Sequence, residues 1–309
     1  MNASDVERSF SVEPLVYRFT KLGFFAAGLP LSASMAIYIL CRLLHSRQFR
    51  SSLSNQSIIA LLLDAFVQIT SELPITLDYL VHGYVRIHTD AFCRFWVWYN
   101  FSLQSSNLLL MSWISIERHI LIFHFELLRT SRGKMIYHFL PLIVCVVYVP
   151  LFYFICVVLY PCVNSFDPTS LLCGTICYNS VTWLSTFDWL TNVLIPSLLI
   201  PGSSLVLLLR VVIQRKKMRR SLQWRPMRKL TVQLVFLSSL YLLVWLPLAS
   251  VSLIRLYFAS TFLDQLTFYY FNYSPYLVQL WMPFVCFACL NEIWPKNFRL
   301  IHTSPVTQN

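Results

Sequence analysis

Residues 58–82 read IIALLLDAFVQITSELPITLDYLVH. The stretch is long enough to cross a bilayer, which takes about 20 mostly apolar residues, yet it carries Asp64, Glu72 and Asp78. Around it lie six stretches without Asp, Glu, Lys or Arg: Leu22–Cys41, Phe95–Ile116, Ile136–Val163, Trp189–Leu209, Leu230–Ile254 and Leu266–Leu290. Leaving 58–82 out would put its flanking loops, one basic and one short and polar, on the wrong faces of the membrane. Counting it gives an all-α bundle of seven transmembrane helices over residues 22–290. A short extracellular N-tail (1–21) precedes it, and a short cytoplasmic tail (291–309), with room for a short amphipathic helix, follows.

Composition agrees with this reading. The chain is 57% hydrophobic and 12% charged, against about 25% charged in soluble domains. Met1–Lys21 holds Asp5, Glu7, Arg8, Glu13, Arg18 and Lys21 and has no apolar core of a cleavable signal, so the first span is expected to act as its own targeting signal. Neither repeats nor low-complexity tracts divide the chain, which predicts one bundle.

The net charge of +11 is informative by position. Of the 24 basic residues, 18 fall on one set of alternate loops and the tail, half of these in the loop that holds Arg215, Lys216 and Lys229. The positive-inside rule places that face in the cytoplasm and the N-terminus outside, as for a multi-pass plasma-membrane protein. The basic excess therefore reads as an anchor to inner-leaflet lipids and a contact for a cytosolic partner, not as nucleic-acid binding. Cys93, Cys162, Cys173 and Cys177 then face the compartment where disulfides form.

No HExxH, G-x-S-x-G or P-loop occurs, and the seven histidines are scattered without metal-ligand spacing, so the sequence predicts neither an enzyme, a metal nor a cofactor. A channel or transporter would be expected to show paired repeats and midplane polar residues on several helices; neither is evident. Ser115-Ile116-Glu117-Arg118-His119 closes the third stretch with a charge pair. Cys93 lies 25 residues before Arg118, about 37 Å of helix and one tilted crossing. Val244-Trp245-Leu246-Pro247 sets a proline inside the sixth stretch, and Pro283 sits in the seventh.

With these residues the chain resembles the rhodopsin-like G-protein-coupled receptors over its whole length, as a divergent, invertebrate-type member. Glu117-Arg118-His119 looks like the family's acidic-Arg-aromatic triplet and Trp245-Leu246-Pro247 like its Trp-x-Pro. Pro196 is similar to the helix-five proline, Cys93 to the helix-three cysteine and Asp64 to the helix-two acid. The family's Asn-Pro-x-x-Tyr is replaced by Met282-Pro283-Phe284-Val285-Cys286, and the usual Asn of the first span and Trp of the fourth are missing.

The resemblance implies an extracellular ligand and a heterotrimeric G protein as partners. Glu117, Arg118, His119, Arg215, Lys216 and Lys229 would meet the G protein, with Arg118 held by Glu117 at rest. Trp245, Pro247, Pro283 and Pro196 would serve as the activation switch. A receptor that no longer couples is the alternative. Asn100, Gln104, Tyr241, Trp245, Tyr276 and Gln279 are candidates for a pocket between the outer helix halves. No lysine lies in the last span, which argues against retinal, and Asn100 stands where amine receptors have Asp, which leaves a neutral small molecule or a peptide. Asp64 and Asn107 are expected to share a hydrogen bond, water or ion. Asn2-Ala3-Ser4 is the expected glycosylation site.

Four outward cysteines allow three pairings. Joining Cys93 to Cys177 would lay the loop across the pocket mouth, and Asp167-Pro168 would close a local ring between Cys162 and Cys173. Those two bonds are the expectation.

Overall fold

The computed structural model describes residues 15–45, 52–174, 176–217, 224–258 and 263–289. Among them the regular structure is all helical. Among the described residues five helices are long and apolar enough to cross a membrane: α1 (Leu15–His45), α2 (Leu53–His82), α4 (Ser131–Leu159), α5 (Thr182–Arg210) and the Val235–Tyr257 part of α6 (Trp224–Tyr257). Two more helices complete the bundle, α3 (Asp90–Phe123) and α7 (Ser274–Cys289).

The helices close a ring, α1–α2–α3–α5–α6–α7 and back to α1, with α4 stacked on α3. That position explains the composition of α3. It touches α2, α4 and α5, and so it buries Asn100, Ser102, Ser105, Ser106, Asn107, Ser112 and Ser115, which an outward-facing apolar helix would not carry. In contrast, α4 turns Leu140, Ile143, Val144, Val146, Val147 and Leu151 outward. A soluble surface rarely exposes apolar patches of that kind, whereas a lipid-facing one does.

Helix boundaries differ from the sequence expectation at several places, the helices holding residues 95–116 and 189–209 beginning earlier, at Asp90 and Thr182. Residues 15–21, expected in the N-tail, belong to α1. The last stretch, expected as one helix from Leu266, is broken into Asp264–Tyr269, a tight turn Phe271–Tyr273, and α7.

Proline shapes the helices in a recurrent way. Four wide π turns, Gln68–Glu72, Met135–Phe139, Phe154–Leu159 and Trp189–Leu194, each end two residues before a proline: Pro74, Pro141, Pro161 and Pro196. A proline gives no N–H to the carbonyl four residues back and its ring crowds that carbonyl. Where helix runs on through the proline, at Pro74, Pro141 and Pro196, those carbonyls belong to Thr70, Tyr137 and Asn192, all within the wide turns, whereas Pro161 follows a helix that has already ended at Leu159. An extra residue in the turn relieves the clash. Pro30, Pro201, Pro247 and Pro283 are instead carried inside uninterrupted helix.

Candidate ligand cavity and the polar chain beneath it

The loop between α4 and α5 is built on one turn. Asp167 accepts from the Thr169 backbone N–H (2.9 Å), the Thr169 hydroxyl (2.7 Å) and the Ser170 hydroxyl (2.8 Å). Partial desolvation pushes the Asp167 carboxyl up, but the Thr169 and Ser170 hydrogen bonds together outweigh it and hold the carboxyl below its ordinary range. The turn is pinned to the rest of the molecule by Val85 N–H on the Pro168 carbonyl (2.7 Å) and the Tyr79 hydroxyl on the Thr169 carbonyl (2.9 Å). Its two arms then run side by side: Asp167 N–H donates to the Cys173 carbonyl (2.9 Å) and Cys177 N–H to the Asn164 side-chain oxygen (2.9 Å).

This register overturns the expected cysteine pairing. The disulfides are Cys93–Cys173 and Cys162–Cys177, with Cα separations of 5.7 and 6.0 Å. Asp167-Pro168 does start a local turn. Two arms folding back from it bring 162 level with 177, however, and leave Cys173 near the tip, pinned above the start of α3. Positive φ at Leu172, Cys173 and Gly174 carries the reversal there.

Beneath this loop lies a cavity of about 1010 Å³ between α3, α5, α6 and the segment before α7. Asn100, Gln104 and Trp245 line it as expected. Tyr241, Tyr276 and Gln279 are not on its wall. Each is buried, and two of them make contacts that account for their place.

Tyr276 belongs to a hub around Glu72, a residue the pocket expectation omitted. One carboxylate oxygen of Glu72 accepts from Thr76 (3.1 Å), the Trp96 indole (3.1 Å), the Asn100 amide (2.8 Å) and the Tyr276 hydroxyl (2.8 Å). The Asn100 amide also donates to the Tyr276 hydroxyl (2.9 Å). Glu72 is thus the point where α2, α3 and α7 are tied together, and it fixes Asn100 on the cavity wall. Gln279, one turn along α7, has a buried amide without a partner among the described residues.

Tyr241 lies deeper. Its hydroxyl donates to the Asn107 amide oxygen, and the Asn107 amide N–H donates to Asp64 (2.9 Å). The expected Asp64–Asn107 bond is therefore present, with α6 added to it.

At the far end of α3 the family-like resting contact is not formed. Among the described residues no ion pair joins Glu117 to Arg118. Glu117 is fully buried and bonds with one oxygen to the Ser57 hydroxyl and with the other to His138 Nδ1. His138, equally buried, reaches Gln56 with Nε2 (2.9 Å). Arg118 turns instead to the Ser54 hydroxyl, and His119 to the Ser203 carbonyl. A carboxylate takes the nearest buried donors available, and α2 and α4 supply two of them. Arg215, Lys216 and Lys229 lie in helix, but their side chains are outside what the structure describes, as is Asn2 altogether.

The cavity wall also carries charges that the sequence reading passed over. Asp188 lies on it, and at its edge Arg255 pairs with Asp264. Asp188 stands immediately before an apolar stretch and reads as a loop residue there.

The chain matches no model of a known protein family, and no curated protein matches it either.

Proposed function

We propose that this chain is a plasma-membrane receptor of the rhodopsin-like kind. It would have seven spans and an outside N-terminus, bind an extracellular ligand beneath the disulfide-tied loop, and activate a heterotrimeric G protein at the Arg118 end. The observation that carries this reading is the vertical order of sites along α3 and α6. A cavity reaches Trp245. One turn below, Tyr241 contacts Asn107 and through it Asp64. Below these stand Glu117 and Arg118. A ligand that favours one packing of α6 can shift the resting population by its differential affinity for the two states. Pro247, six residues above Tyr241, gives α6 a place to bend.

In this reading α3 counts as a span despite its polar residues, because its neighbours shield it, and α7 counts through the spanning length of the apolar stretch Leu266–Leu290. The Tyr241–Asn107–Asp64 contact stands in for the relay that the missing Asn-Pro-x-x-Tyr would supply. The non-coupling alternative draws on Glu117, whose carboxylate is already engaged by Ser57 and His138.

The test is nucleotide exchange on purified G proteins by the reconstituted full chain. Wild-type protein should accelerate exchange and Arg118→Ala should lose the acceleration while reaching the cell surface normally. Equal exchange with wild type and Arg118→Ala would overturn the coupling role.

A further inference from the structure

We propose that the cavity takes a ligand bearing a protonated amine or guanidinium group, with Asp188 as its counter-ion. This rests on the cavity being the ligand site, and it replaces the neutral ligand expected from Asn100.

Three charged residues stand on the cavity wall, and two of them, Arg255 and Asp264, pair with each other. Asp188 has no cation within ion-pair distance among the described residues. Its partners are neutral donors: the Tyr153 hydroxyl (2.8 Å) and the Asn192 amide (2.8 Å) on one oxygen, the Tyr178 hydroxyl (3.0 Å) on the other. A carboxylate offers about four acceptor positions. Three are filled, and one remains on the oxygen that Tyr178 holds.

That leaves one acceptor position of an unpaired carboxylate in want of a donor on the cavity wall. A hydroxyl ligand brings one donor and no charge, whereas an ammonium brings three donors and a guanidinium five, with the charge that the buried carboxylate lacks. The surroundings suit a cation as well. Phe101, Tyr153, Tyr178 and Trp189 line the same part of the cavity, and aromatic faces attract cations. The Trp245 indole N–H, also on the cavity wall, is buried without a partner among the described residues, so the ligand should also carry a hydrogen-bond acceptor.

The experiment measures thermal unfolding of the detergent-purified full chain with matched probes: 2-phenylethylamine against 2-phenylethanol, and argininamide against citrullinamide. At least one cationic probe should raise the unfolding temperature while its neutral partner does not. Asp188→Asn keeps an acceptor for the tyrosines and should fold, but should weaken that binding roughly thirtyfold or more, as expected when a buried ion pair loses its partner. Three results overturn the proposal: no shift with either cation, equal shifts within a pair, or a cation shift retained in Asp188→Asn. Because binding is read directly, loss of nucleotide exchange with binding intact would count against the receptor reading alone.

Discussion

Replacing Glu72 with alanine should weaken the bundle more than replacing any surface acid, and the size of the effect can be worked from its contacts. Four donors converge on one oxygen. Thr76, Asn100 and Tyr276 keep one another as partners after the carboxylate is gone. Asn100 and Tyr276 each lose one interhelical bond, at about 0.6 kcal/mol apiece, and Thr76 loses one within its own helix. Trp96 has no second acceptor among the described residues, and an orphaned buried donor costs about 1–3 kcal/mol. Removing a buried carboxylate whose other oxygen has no partner among the described residues returns part of this. A net loss of about 2–4 kcal/mol is expected for Glu72→Ala, and within about 1 kcal/mol for Glu72→Gln, which keeps the acceptor. Thermal unfolding of the purified protein in detergent measures both. Glu72→Ala at wild-type stability, or Glu72→Gln as damaging as Glu72→Ala, would refute the hub.

Non-reducing peptide mapping should recover Cys93 linked to Cys173 and Cys162 linked to Cys177; a Cys93–Cys177 peptide would contradict the hairpin register. His138→Ala takes the partner from a fully buried carboxylate and should cost about 3 kcal/mol. Arg118→Ala, which loses a contact to Ser54, should cost less than half as much, and unfolding curves in the reverse order would show that Glu117 depends on Arg118 after all. The Asp167 carboxyl is held below its ordinary value of 3.8, so its stabilisation of the turn is complete above that value and is lost as pH falls through the lowered one. The protection of the Thr169 amide against hydrogen exchange, taken relative to the intrinsic rate at each pH, should fall on such acidification in wild type, and Asp167→Asn should remove that pH dependence of protection.

The bundle was legible because apolar stretches of spanning length are hard to mistake. Asp64 and Asn107 were legible as a pair because polar groups at that depth must find each other. Glu72 was not, for a geometric reason. In a regular helix it would stand about 80° round from Asp64; the extra residue of the π turn brings it within about 20° and so onto the face of α3. Pro74, two residues on, was the available signal. Asp188 was hidden by the same device and by its place at the edge of an apolar run. His138 drew no attention because its partners come from two other helices. The disulfides were misjudged although Asp167-Pro168 was read correctly as a turn: what was missing was the register of its arms, which the pins to Tyr79 and Val85 set from elsewhere in the chain.

The wide turn at Trp189–Leu194 makes Pro196 a remote adjuster of the cavity. The proline lies two turns inward from Asp188 and does not line the cavity. Were an alanine there to let the turn close to ordinary helix, everything outward of it would swivel by about 100° relative to the inner half of α5. Asp188 would then leave the wall and part from Tyr153 and Tyr178. The orientation of the cavity's anion is thus set by a backbone N–H that the chain lacks.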